Sequence, residues 1–295
     1  MQKTFQNARS ALPYILPALL LILSFVFLPM ILNVYYSLFR WNAFSVERDF
    51  VGWEYYVRLF RDPVFYTAVK NNSLYAVISI VVQVGGGLVI AAILEDRLIR
   101  RWQSLFRTIF FIPSVISIAV VGLLWQLLYN PDIGLVNGAL QMLGQNEWVH
   151  AWLGDSKTAI FAVIAVSQWQ FTGYMVMLFL IAMHKIPEDL YESSMIDGAN
   201  RIQTFFKITI PQIKEMILVG TMITVIGAFK VFDEVYVMTF GGPGRSTEVL
   251  GTMLYRAAFR NDEMGYASTI ATVIFAITFA LSLLQMKWSR SGQEG

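Results

Sequence analysis

The groups able to act on a ligand are few and gathered in two places. The run Ser167-Gln168-Trp169-Gln170-Phe171-Thr172-Gly173-Tyr174 is polar and aromatic inside an otherwise apolar stretch. Ser167, Phe171 and Tyr174 stand at i, i+4 and i+7, which puts them on one face of a helix. Flat rings for C–H faces, with hydrogen-bonding groups for hydroxyls, are what a carbohydrate asks of its site. The same polar groups serve equally well as hydrogen bonds between packed helices, and both readings stand. Lys230, Asp233 and Glu234 form the second group. A charge at the centre of a bilayer costs ~2.5–3.5 kcal/mol, and Lys230 can pair with Asp233 or Glu234 at helical spacing. This spacing points to a structural pair or a gate contact at the outer end of a span rather than to a substrate ligand. Covalent and metal chemistry lack their usual side chains. The chain has no cysteine and two histidines, His150 and His184, so no disulfide framework, thiolate site or histidine metal centre is expected.

The elements that carry these residues are membrane helices. Hydrophobic residues make up 56% of the 295 and charged residues 14%, against about 25% charged in soluble domains. A bilayer core of ~30 Å needs about 20 apolar helical residues. Stretches free of Asp, Glu, Lys, Arg and His run over 10–39, 71–94, 108–131, 158–183 and 264–286. A sixth, 216–229, continues past Lys230 to about 239 with charge on its outer part. The expectation is an all-α polytopic membrane protein of six transmembrane helices. Residues 1–70 hold a tail, the first span and an external loop, and 71–286 hold the main transmembrane domain. The first span is too long for a cleaved signal peptide and lacks an A-x-A-type site. Pro29 is expected to kink it or mark its outer end. Gly85-Gly86-Gly87 with Ala91 and Ala92 reads as a small face for close helix packing.

Arg97, Arg100, Arg101 and Arg107 crowd the loop 95–107, whereas 130–157 carries one Lys and no Arg. The positive-inside rule places the first loop in the cytoplasm and the second outside. Both termini then lie inside, in agreement with Lys3, Arg9, Lys287 and Arg290. The long connection 184–215 is cytoplasmic by the same count. Net charge is +2 with no basic block, so nothing suggests nucleic acid.

That connection contains PEDLYESSMIDGANRIQTFFKITIP over 187–211. Pro187 suits a first helical turn, and Glu188 and Asp189 suit the positive end of the helix dipole. Leu190, Tyr191, Ser194 and Met195 fall on neighbouring turns and can make one apolar side. Asp197-Gly198 ends the helix, glycine supplying the left-handed stop. A second helix is expected over 199–208, with Pro211 punctuating the start of the next span. A minimal connection needs only a few residues. By itself the pattern also fits an interfacial helix lying on the membrane.

Glu192-Ser193-Ser194-x-x-Asp197-Gly198-Ala199, followed by Phe205, Ile208 and Pro211, resembles the EAA loop of binding-protein-dependent ABC permeases, with Ser193-Ser194 in place of Ala-Ala. Ile112-Pro113-Ser114 through Trp125, and Asn130-Pro131-x-x-Gly134-Leu135-Val136-Asn137, resemble the third-helix region of sugar-type permeases. Phe232-Asp233, Thr239-x-Gly241-Gly242-Pro243, Ser246-Thr247, Tyr255-x-x-Ala258-Phe259 and Gly265-Tyr266-Ala267-Ser268 continue the likeness, which spans roughly 10–287. It points to the maltose type, in the branch of the first of two paired permeases.

The resemblance implies a type I ABC importer permease fold with a cytoplasmic EAA coupling loop at 184–215. Glu192, Ser193, Ser194, Asp197, Gly198, Ala199 and Pro211 would couple the chain to a cytoplasmic ATPase. It also implies that sugar contacts come from the helices flanking this loop. Thr224, Gly227 and Ala228 with Thr221 would then join Ser167, Gln170, Phe171 and Tyr174. The implied partners are a second permease subunit in a heterodimer, two ABC ATPase subunits and an extracellular solute-binding protein, in a bacterial or archaeal cell membrane. No cofactor belongs to this chain, and the partner subunits use the ATP. The chain has no phosphate loop of its own: Gly241-Gly242-Pro243-Gly244-Arg245-Ser246-Thr247 has the wrong spacing and no Lys, and reads as an external turn near the binding-protein surface. No enzymatic role is expected.

Other readings are weaker. An ion-coupled secondary transporter needs ionisable groups deep in several spans, and five of the six expected spans have none. A membrane enzyme needs convergent acid, base or nucleophile groups, and the two histidines fall on opposite sides. Within the importer reading a di- or oligosaccharide is favoured, with glycerol phosphate or another polar solute as the alternative. A phosphate ester favours a cationic cavity, and only Lys230 offers charge there.

Overall fold

The computed structural model describes residues 14–44, 47–96 and 99–291. Lys3, Arg9, Arg97 and residues 10–13 of the expected first span lie outside the described residues. Long helices dominate: α1 (Tyr14–Tyr36), α3 (Pro63–Glu95), α7 (Ala159–Met183) and α13 (Met264–Ser291). Between them lie α2 (Glu54–Arg61), α4 (Gln103–Val115), α5 (Ile118–Leu128), α6 (Leu135–Met142), α8 (Glu188–Ile196), α9 (Arg201–Gln212), α10 (Lys214–Lys230), α11 (Asp233–Thr239) and α12 (250–260). Strands β1 (Phe39–Arg40) and β2 (Asp49–Phe50) pair antiparallel, Phe39 opposite Phe50. Four helices are long and apolar enough to cross a membrane. The number is six, as expected, if the bent pairs α4–α5 and α9–α10 each count as one crossing.

The chain forms two units. The first comprises α1, the strand pair, α2 and the first half of α13. Small and hydroxylated side chains on α13 make its seam. Asn33 Nδ2 donates to Ser268 O and Thr272 Oγ1, and Thr269 Oγ1 donates to Ser37 O. Arg58 holds Glu263 through two bonds of 2.7 and 3.0 Å and lies over the Tyr266 ring. Pro29 neither ends α1 nor stands alone: the helix runs on to Tyr36, and residues Leu23–Phe27 before it are π-helical. A proline ring collides with the carbonyl four residues back. The wider turn, with Leu28 N–H reaching back to Leu23 O, makes room for it.

The second unit comprises 63–253 and the end of α13. Its central helix α3 starts at Pro63, a favoured first position, so it includes Lys70 and begins before the expected residue 71. Asn71, Tyr75, Ser79, Gln83, Gly87 and Ala91, every fourth residue, are all buried. An α-helical i+4 stripe drifts by about 40° per step. The π-helical stretch Ile80–Gly86 has a wider turn and reverses that drift, keeping the stripe on one face. In the expected small face, Gly87 packs against Met175 and Val176 of α7, whereas Gly86 has open space around it.

Two expected helices are broken. The stretch 108–131 is not one helix: α4 and α5 meet at 96°, with Ile116 and Ser117 extended between them. Pro113 removes a donor from the last turn of α4. The polar groups of the break are satisfied from α7: Gln170 Nε2 donates to Ile116 O at 3.0 Å, and Ser114 Oγ donates to Gln170 O at 2.8 Å. Such satisfaction is what permits irregular backbone at membrane depth. Likewise 216–239 breaks at Val231 and Phe232, between α10 and α11. Asn72 Nδ2 takes the freed Ala228 O at 2.7 Å, and Asn72 Oδ1 accepts from Leu250 N at 2.9 Å.

Candidate functional site

The hook between α7 and α10 has the shape its sequence requires. α8 begins at Glu188, directly after Pro187, with Glu188 and Asp189 in its first turn. It ends at Ile196, and the chain turns away at Gly198, whose φ of +77° is the left-handed value that glycine adopts without strain. The second helix begins two residues later than expected, because Asn200 caps it. Asn200 Oδ1 accepts from Gln203 N and Gln203 Oε1 accepts from Asn200 N, both at 2.9 Å. This reciprocal box is written in the sequence as Asn200-x-x-Gln203. α9 also runs past Pro211 to Gln212. Phe205–Thr209 is π-helical, with Ile210 N–H bonded to Phe205 O, the same accommodation found before Pro29. The expected punctuation comes at Ile213, where α9 and α10 meet at 74°.

Under the hook lies a cavity of about 630 Å³ bounded by the ends of α3 and α7 and by both hook helices. Tyr191, Ser194 and Thr209 face it. Ser194 Oγ donates to Tyr191 O at 2.8 Å, and Tyr191 Oη shares a 3.2 Å bond with Thr209 Oγ1, tying the two hook helices together. Burial pushes the Tyr191 phenol above its usual pKa. Of the expected apolar side, Tyr191, Ser194 and Met195 line this cavity, Met195 with about half its surface exposed, while Leu190 lies outside it. The opposite surface presents Ile196 at 86%, Ile202 at 70% and Phe206 at 61% exposure. Of the proposed coupling residues, Glu192, Ser193, Asp197, Gly198 and Pro211 are exposed, Ala199 is half-buried and Ser194 is buried.

Three contacts at this end had no signal in the sequence. His184 Nε2 lies 2.9 Å from Glu95 Oε2, Gln103 Nε2 donates to that same oxygen at 2.9 Å, and Arg201 pairs with Asp96 at 2.6 Å. Two of them, His184 with Glu95 and Arg201 with Asp96, join residues far apart in the chain, which no local pattern reports.

The expected substrate residues differ in exposure. Ser167, Gln170, Thr224 and Ala228 are buried, Phe171 is half-buried, and Tyr174 and Gly227 are exposed. Gln170 is occupied at the α4–α5 break. Gly173 lets α7 approach α4 so closely that a Cβ there would overlap Phe110 O. Glu234 is buried, with Tyr75 Oη 3.4 Å from its Oε1. Among the described residues Lys230 forms no ion pair with Asp233 or Glu234. The expected pairing fails because the break at Val231 and Phe232 destroys the helical spacing on which it depended.

At the other end of this unit, Asn137 Nδ2 donates to Pro131 O and His150 O, and Trp152 Nε1 donates to Asn137 Oδ1. The Asn130…Asn137 motif thus folds its own loop. The Gly241–Thr247 turn is closed by Thr247 Oγ1, which bonds Thr239 Oγ1 at 2.8 Å and donates to Gly242 O at 2.7 Å.

The fold has known counterparts. A chain from a bacterial alginate ABC transporter, solved in complex with an alginate pentasaccharide-bound periplasmic protein, superposes with a TM-score of 0.83 at 22% identity, covering 99% of this chain and 97% of that one. The probable ABC transporter permease protein YurN of Bacillus subtilis is 54% identical over 98% of this chain and 99% of its own length. The arabinooligosaccharides transport system permease protein AraP of Halalkalibacterium halodurans is 30% identical over 99% of this chain and 92% of its own. The family profile described as "Binding-protein-dependent transport system inner membrane component" matches residues 83–288. With its apolar helices, its hook and this end-to-end similarity, the chain belongs to the binding-protein-dependent transport system inner membrane components, a family of multi-pass membrane proteins.

Proposed function

We propose that this chain is the permease subunit of an ATP-driven importer that carries a di- or oligosaccharide handed to it by an extracellular binding protein. The hook carries the proposal. An exposed apolar surface on a compact hydrogen-bonded turn is a contact waiting for a protein partner. In this reading the partner is a cytoplasmic ATPase, one of two, and a second permease completes the pathway. Glu192, Ser193, Asp197, Gly198 and Ala199 form the contact, Ser194 braces it from within, and Pro211 sets how α9 joins α10. Both termini lie in the cytoplasm, following the arginine-rich loop 95–107. The similarity to AraP supports an oligosaccharide cargo. Tyr174, Phe171 and Gly227 are the contacts best placed to meet it, since they reach the surface of the bundle. The chain itself performs no covalent step and holds no cofactor; ATP is spent by the partners.

The test is purification of the tagged chain from its native membrane, followed by reconstitution of what accompanies it with a panel of oligosaccharides. Expected are an ATPase, a second permease, and ATP hydrolysis that rises when sugar-loaded binding protein is added. Recovery of a stable homodimer without any ATPase would refute the reading.

A further inference from the structure

The hook is covalently joined to α7 and α10 only, yet it is also gripped by a third helix. α3 ends in Glu95, followed at once by Asp96. Glu95 Oε2 meets His184, where the chain leaves α7 for the hook, and Asp96 Oδ2 meets Arg201, the first residue of α9. One dipeptide therefore holds the hook both before its first helix and at the start of its second. The C-terminal end of a helix carries negative partial charge and disfavours acids. Here Asp96 faces a cation and Glu95 accepts from both His184 and Gln103.

The far end of α3 is tied just as firmly. Asn71 Nδ2 donates to Ser246 O and Glu248 O, both at 2.8 Å, and Asn72 spans Ala228 O and Leu250 N. From Asn72 to Glu95 a helix extends about 35 Å. α3 is thus a rod with the hook at one end and the 246–250 loop at the other.

We propose that Glu95 and Asp96 are positioning residues that transmit displacement of the hook into α3, and through Asn71 and Asn72 to the 246–250 loop. This rests on the importer reading above. It identifies a route from ATPase to outer loop that bypasses the covalent connections through α7 and α10.

The experiment uses the reconstituted importer and reads sugar moved per ATP hydrolysed, at equal levels of subunit in the membrane. Asp96→Asn and Arg201→Gln each lower that ratio about 1.4- to fivefold, the range for a pair of this exposure. The charge swap Asp96→Arg with Arg201→Asp restores it. An unchanged ratio in both single variants, or a swap no better than either, overturns the proposal. A second measurement needs no transport. The chain has no cysteine, so spin labels at Ser193→Cys and Val89→Cys report the hook-to-α3 distance alone. Asp96→Asn broadens that distance distribution; an unaltered distribution overturns the proposal. Wild-type protein that never couples ATP to sugar refutes the importer reading instead, and the label experiment still decides whether the acids hold the hook.

Discussion

Replacing Gly198 tests the hook most directly, because its cost can be worked from backbone geometry alone. Its φ is +77°, and a Cβ built there meets nothing within 4 Å. Alanine therefore adds no clash and pays only for the left-handed conformation, about 1–2 kcal/mol, roughly 5- to 30-fold in the population of the native turn. Asparagine tolerates this region better and should cost less. Proline fixes φ near −65°, about 140° away, and also removes the Gly198 N–H that bonds Met195 O at 3.1 Å. The four proteins should rank Gly, Asn, Ala, Pro in sugar uptake by right-side-out vesicles or proteoliposomes, with no uptake for proline. All four should insert equally, since the turn lies outside the membrane helices. Wild-type uptake by Gly198→Pro, or an alanine variant worse than proline, would refute the claim that this turn shapes a lever.

Asn72→Ala should destabilise the protein by about 2–6 kcal/mol, because two buried backbone groups lose their partner and each costs about 1–3 kcal/mol; the midpoint of thermal unfolding in detergent checks it. Gly173→Ala should separate α4 from α7 and cost at least the 1–3 kcal/mol or so of an overpacked core, seen as lost thermal stability with the hook unaffected. The folded-state pKa of Tyr191 lies above the unfolded value of 10.0. Its contribution to stability is therefore complete below about pH 10 and is lost as pH climbs through the raised value. Tyr191→Phe should abolish that component of the alkaline loss in a pH series of melting curves.

Much of this protein is written locally. Charge-free stretches of bilayer length mark membrane residence, because a charge near the centre of a bilayer is costly whichever helix carries it. Asp197-Gly198 and Pro187 mark the hook, because a cap or a stop acts through its own backbone. The similarity of the 187–211 pattern to one family rests on the same short-range chemistry. What tertiary structure decided is where the long helices break and what each polar side chain serves. Gln170 reads as one polar group among several until α4 is seen to end beside it and to accept its amide hydrogen bond. Lys230 reads as paired until the chain turns at Val231. What Asn72 holds is decided only when Ala228 and Leu250 meet it. A break in lipid survives only when a side chain from another helix takes up the freed peptide groups. That partner can stand more than a hundred residues away, so no window of sequence contains both halves of the reason.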